Sequence, residues 1–128
     1  MLDVQPAPAN INRAMTVAGS DSGGGAGLQA DLKTFAANGV YGTSVVTTIT
    51  AQNTLGVQEV LELPIALIES QIDSVLTDIA TDVVKTGMLY SSEVIRAVAA
   101  KINQYDIGLL VVDPVMKAKG GEIGRAHV

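Results

Sequence analysis

Residues 14–39 read AMTVAGSDSGGGAGLQADLKTFAANG, and this stretch decides the fold. Ala14 to Ala18 is a short apolar run that stops at Gly19, as a buried strand does. A glycine-dense loop follows, Gly19-Ser-Asp-Ser-Gly-Gly-Gly-Ala-Gly27. Leu28, Leu32 and Phe35 then recur at helical spacing. Asn38-Gly39 suits a left-handed helix end. Strand, loop and helix in that order open a βαβ unit.

The pattern continues outward. Ser44 to Thr50 is rich in Val, Ile and Thr, the β-branched signature of a strand, and it ends at Ala51-Gln52-Asn53. Val57 to Leu63 reads as a further short strand. Pro64 suits the start of a helix, and Ile68, Ile72, Val75, Leu76 and Ile79 form its apolar stripe. Val83-Val84 leads into Lys85-Thr86-Gly87-Met88. Ser91 is placed to cap a third helix with Val94, Val98 and Ile102 on one face. Gly108 to Val112 reads as a buried strand closed by Asp113-Pro114. The alternation predicts an α/β fold, with right-handed crossovers and a mostly parallel sheet flanked by helices. Residues 1–12, with Pro6 and Pro8 among small residues, read as a mobile tail.

Composition narrows the function classes. The chain has 128 residues, 48% hydrophobic and 16% charged, which argues against disorder. A single domain of this length buries about two-thirds of its unfolded surface. The longest apolar run, Ile107 to Val112, is broken by Gly108 and falls far short of the roughly 18 residues of a membrane span. The N-terminus lacks the basic start and apolar stretch of a secretory signal, so a cytoplasmic protein without membrane contact is expected. The absence of cysteine excludes disulfides and thiolate metal sites. A net charge of −5, with scattered basic residues and no aromatic platform, gives nucleic-acid binding no support.

Four polar segments fall at expected strand ends: the glycine loop, Gln52-Asn53, Lys85 to Met88, and Asp113 to Met116. Ligands of open parallel sheets sit at such ends. The loop is not a Walker A motif, because no Gly-Lys-Ser/Thr follows. It also misses Gly-x-Gly-x-x-Gly, because Leu28 takes the last glycine's place. Its glycines serve close backbone approach to a ligand, a moving lid, or simply a turn with positive φ. Asp31, one turn into the helix, is favoured there by the helix dipole whatever its role. The Gln52 amide offers a donor beside an acceptor, a match for a ring nitrogen and an adjacent amine; the plain alternative is a solvated loop glutamine. Lys85 near a buried strand end needs an anionic partner. That partner is a phosphate or an acidic residue, and Asp113 is a candidate. Met88 and Met116 read more simply as core. The only histidine, His127, lies at the far end of the chain, so no histidine base, triad or metal ligand is assigned.

Together the stretches AGSDSGGGAGLQADLKTFAANGVYG, TAQNTLGVQ, QIDSVLTDI, VKTGML and VVDPVMKAKGG are specific. Over residues 14–121 the chain resembles the N-terminal half of the hydroxymethylpyrimidine/phosphomethylpyrimidine kinases of the ribokinase-like superfamily. The resemblance implies an ATP-dependent, Mg2+-using thiamine-biosynthesis kinase. Its substrates would be 4-amino-5-hydroxymethyl-2-methylpyrimidine and its monophosphate. Gln52 matches the position that binds the aminopyrimidine. Gly19, Asp31, Met88 and Val115 match positions lining the same pocket. Lys85 and Asp113 match polar positions facing the phosphate and metal region. The full-length enzyme would be a homodimer. Related pyridoxal kinases share several of these features.

The resemblance also implies an absent part. Family members are about twice as long and carry a Gly-Thr-Gly motif, the catalytic base and most nucleotide contacts in their C-terminal half. Nothing here matches that motif, so no catalytic residue is assigned and a chain inactive by itself is expected. The ending Glu122-Ile-Gly-Arg-Ala-His-Val128 reads like a translated sequencing adapter. Residues 13–121 are therefore expected to be the native half-domain and 122–128 a foreign tail. Removing that tail takes away one acidic and one basic residue and leaves the charge at −5. A natural terminus is the alternative, and with it a non-catalytic pyrimidine-binding module.

Overall fold

The computed structural model describes residues 11–114. The elements follow in the order β1 (Arg13–Asp21), α1 (Gly27–Ala37), β2 (Tyr41–Asn53), β3 (Gly56–Glu62), α2 (Ile65–Leu76), β4 (Val83–Thr86), α3 (Ser92–Gln104) and β5 (Leu110–Val112). They form one five-stranded sheet in the order β3-β2-β1-β4-β5. All neighbours are parallel except β2 and β3, which form a hairpin. The expected α/β, mostly parallel architecture is present. Most of the 1–12 tail, Val115, Met116, His127 and the 122–128 tail lie outside the described residues.

Local signals explain the element ends. Gly39 takes φ +71 behind α1, as Asn38-Gly39 predicts, and its N–H donates to the Ala36 carbonyl at 3.1 Å. Ser91 Oγ accepts from the Val94 N–H at 3.2 Å, capping α3. Pro64 sits just before α2 with φ −59. The apolar stripe of α2 is longer than the helix: Ile79 lies past Leu76, where the chain turns through Ala80 at φ 62.

Alternation along β1 sorts side chains between two layers. Met15 and Val17 join Val45, Val84, Ile68, Ile72, Val94 and Val98 in the main core beneath α2 and α3. Each such side chain contributes about 1.5–3 kcal/mol on burial. On the other face α1 lies close to the sheet. A Cβ at Gly42 would fall 2.9 Å from both Leu32 and Phe35, so a bare backbone is needed there.

Strand β2 carries an extra residue opposite β1, where the register slips between Ala18 and Ser20. Strand β3 pairs only as far as Thr48. Beyond it, Gln71 of α2 takes over the strand's edge: its Oε1 accepts from the Val46 N–H at 2.8 Å, and its Nε2 donates to the Val46 carbonyl at 2.9 Å. One side chain thus replaces one residue of a neighbouring strand.

Strand β5 departs from expectation. Its sequence predicts burial, yet Leu110, Val111 and Val112 are 43–51% exposed. The reason is topological: β5 is the sheet edge, and an apolar run records surface to be covered, not surface already covered.

Candidate functional site

The strand order reverses at β1, where the chain first steps to β2 and later returns to β4 on the other side. Such a switch point opens a crevice at the carboxyl ends of the strands. A cavity of about 380 Å3 lies there. Gly19, Asp31, Gln52, Met88, Lys85 and Asp113 all line it. Among the residues expected from sequence, only Val115 falls outside the described part.

Gly19 and Gly27 set the shape of the crevice. A Cβ on Gly19 would meet Thr48 Oγ1 at 2.5 Å. Gly27 has φ +59, and a Cβ on it would strike the Gly19 carbonyl oxygen. The first residue of α1 therefore sits against the end of β1, at a distance only glycine allows.

The loop between them is fastened by Asp21. Its buried carboxylate accepts from the N–H groups of Gly23 at 2.7 Å, Gly25 at 3.0 Å and Ala26 at 2.8 Å. The charge-assisted bond to Ala26 also satisfies one free donor at the start of α1. Gln29 adds a second tie: Oε1 accepts from the Asp21 N–H at 2.8 Å, and Nε2 donates to Ser20 Oγ at 2.7 Å. Asp21 and Gln29 go unassigned in the sequence reading, although Asp two residues before Gly is a turn signal.

Asp31, Lys85 and Thr16 form a second network. Thr16 and Lys85 are register partners on β1 and β4. Lys85 Nζ lies 3.0 and 2.9 Å from the two Asp31 oxygens, and Thr16 Oγ1 donates to Asp31 at 2.6 Å. The lysine's partner is thus Asp31, not the Asp113 considered from sequence. Each ion compensates the other's loss of water, and the threonine satisfies a remaining lone pair.

Gln52 lies on β2 itself, because that strand runs on to Asn53. Its backbone is clamped by Ser22: the Gln52 N–H donates to Ser22 Oγ at 2.7 Å, and that hydroxyl donates to the Gln52 carbonyl at 2.6 Å. Thr50 Oγ1 donates to the Ser20 carbonyl at 2.7 Å and lies 3.1 Å from the Gln52 side-chain amide. Val57 and Val60 of β3 add apolar wall. Tyr90, at φ 78, is a cavity residue that sequence did not signal. A non-glycine residue in this conformation is often held at a functional site.

No group of three or more His, Cys, Asp or Glu among the described residues is arranged to hold a metal ion. No helix among them is long and apolar enough to cross a membrane.

Residues 21–124 match the family model described as phosphomethylpyrimidine kinase. The chain is 54% identical over 112 residues to the hydroxymethylpyrimidine/phosphomethylpyrimidine kinase of Bacillus subtilis, covering 88% of this chain and 41% of that protein. A crystal structure of phosphomethylpyrimidine kinase from Clostridium difficile matches with TM-score 0.83 and 50% identity, over 90% of this chain and 50% of that one. The pyridoxal kinase from Staphylococcus aureus in complex with pyridoxal matches with TM-score 0.76 and 37% identity, over 84% and 41%. The chain thus spans half or less of the relatives it matches. By its sequence and its ribokinase-like fold, the chain belongs to the phosphomethylpyrimidine kinase family.

Proposed function

We propose that this chain is the pyrimidine-binding half of an ATP-dependent kinase. It would act on 4-amino-5-hydroxymethyl-2-methylpyrimidine and its monophosphate in thiamine biosynthesis. The observation that carries this reading is the Gln52 amide at the rim of a partly apolar cavity, beside a loop tied down by Asp21. An amide edge pairs with a ring nitrogen and an adjacent amine, while Val57, Val60 and Met88 suit the ring's faces and methyl group. Gly19, Asp31 and Val115 belong to the proposed pocket, and Lys85 and Asp113 to its phosphate side.

ATP would enter from the side of the cavity lined by Lys85 and Asp113. Mg2+ is commonly held by one or two carboxylates together with substrate phosphates, so the exposed Asp113 fits as a single protein ligand. When bound, the ion neutralises charge on the transferring phosphoryl group. Lys85, already neutralised by Asp31, reaches a phosphate only by sharing that partner. The proposed full-length enzyme is a cytoplasmic homodimer. The pyridoxal kinases are the second reading, supported by their matching folds at 37–39% identity.

Calorimetry with the hydroxymethylpyrimidine tests the proposal. Binding by the chain is expected, weakened about 5–30-fold by Gln52→Ala. Equal affinity in the variant overturns the role of Gln52. Tighter binding of pyridoxal favours the second reading. No ATP-dependent turnover is expected from the 128-residue chain, and clear turnover would overturn its assignment as a binding half.

A further inference from the structure

The hydroxyl of Thr50 faces two oxygens, the Ser20 carbonyl at 2.7 Å and the Gln52 side-chain Oε1 at 3.1 Å. A hydroxyl has one proton, so it donates to only one of them. The Ser20 carbonyl has no proton to offer, and its contact is the shorter. The proton therefore goes to Ser20, and Thr50 turns a lone pair toward Gln52. An amide oxygen at that place would set lone pair against lone pair. The two ends of a carboxamide have the same shape, so the hydrogen-bond network decides which end stands where.

We infer that Thr50 is a positioning residue that holds the Gln52 amide with its NH2 toward Thr50 and its oxygen toward the cavity. The Ser20 carbonyl acts through Thr50 by fixing the direction of its proton. This deepens the proposed function and rests on it for the ligand's identity. An outward amide oxygen demands a donor on the ligand. In a fixed ring pose it accepts an exocyclic amine and rejects an exocyclic carbonyl. Discrimination between aminopyrimidines and pyrimidinones would thus originate at Thr50, two positions along β2 from the group that touches the ring.

Nuclear magnetic resonance of the isotope-labelled chain reads the orientation without any ligand. One Gln52 Nε2 proton is expected to show a strong Overhauser effect to Thr50 Hβ and slowed exchange with water. Thr50→Val keeps the shape but removes the lone pair, and is expected to release that proton. Thr50→Ser is expected to retain it. Calorimetry then compares 4-amino-2-methylpyrimidine with 2-methylpyrimidin-4-one. The chain and Thr50→Ser are expected to prefer the amine at least about tenfold, and Thr50→Val to lose most of that preference. Absence of the Overhauser effect in the unmodified chain overturns the inference, as does an unchanged preference in Thr50→Val. If neither probe binds the unmodified chain, the functional reading fails and the Overhauser effect alone decides the amide's orientation. If Thr50→Val does not fold, the signals of the unmodified chain and Thr50→Ser decide it.

Discussion

At the β1–β2 end of the sheet, the side chains of Asp21, Ser22, Gln29 and Thr50 bond to the backbones of Gly23, Gln52, Asp21 and Ser20, respectively, around the cavity. At the β5 edge, Leu109 to Val112 stand 43–58% exposed, and an apolar groove of about 260 Å3 runs between β5 and α3. The first region is completed by its own residues. The second offers apolar surface and an open strand edge that the described residues leave uncovered. The contrast teaches that polar order and apolar burial are separate achievements. The glycine loop has little side-chain bulk yet is fully specified by hydrogen bonds, whereas β5 is rich in side-chain bulk and poorly enclosed.

Gly27→Val should produce the largest loss. It adds a strained positive φ to a collision with the Gly19 carbonyl, and at least about 3 kcal/mol of destabilisation is expected in denaturant unfolding. A loss under 1 kcal/mol would mean that the approach of α1 to β1 is soft. Asp21→Ala comes next, at about 2–3 kcal/mol, because three N–H groups lose one carboxylate. Hydrogen exchange at Gly23, Gly25 and Ala26 should accelerate most, and uniform acceleration would sink the claim that Asp21 acts locally.

A smaller, pH-dependent effect belongs to the junction of α2 and α3. Hydrogen bonds from Lys101 and Tyr105 hold the Asp73 carboxyl below the ordinary aspartate range, and the same bond to Asp73 raises Lys101. The bond to Asp73 likewise raises Tyr105. A lowered acid stabilises the fold above its unfolded pKa, so the Asp73 share is lost as pH falls below about 4. The raised Lys101 and Tyr105 contribute below their unfolded pKa values, and their shares are lost as pH climbs past about 10. Asp73→Asn should flatten both limbs of Tm against pH, and unchanged limbs would remove this cluster from the account. Smallest is Val111→Thr on β5, expected within about 0.5 kcal/mol of the parent, with reduced self-association in light scattering. A core-like loss there would break the contrast.

Much of this was legible in sequence because punctuation and periodicity are local. Asn38-Gly39 and Ser91 end or start their helices as their chemistry dictates. The clustering of Gly19, Gln52, Lys85, Met88 and Asp113 follows from placing strand ends side by side, and Asp31 joins them from the helix behind the glycine loop. The pairing of Lys85 with Asp31 was not legible. It depends on α1 crossing above the Thr16–Lys85 register, which brings Lys85 against Asp31, 54 positions away along the chain. The exposure of β5 was hidden for a related reason: hydrophobicity reports what a strand needs against it, and neighbours come only with topology.

The Gln71 carboxamide on Val46 has a consequence for how the molecule opens. The Val46 amide proton is shielded while Gln71 holds it, and lifting α2 from the sheet removes that shield. That single proton therefore responds to α2, at a point where a regular sheet would have reported on its neighbouring strand instead. Where the strand ladder stops, the cooperative unit does not: the side chain of a helix extends it by one rung.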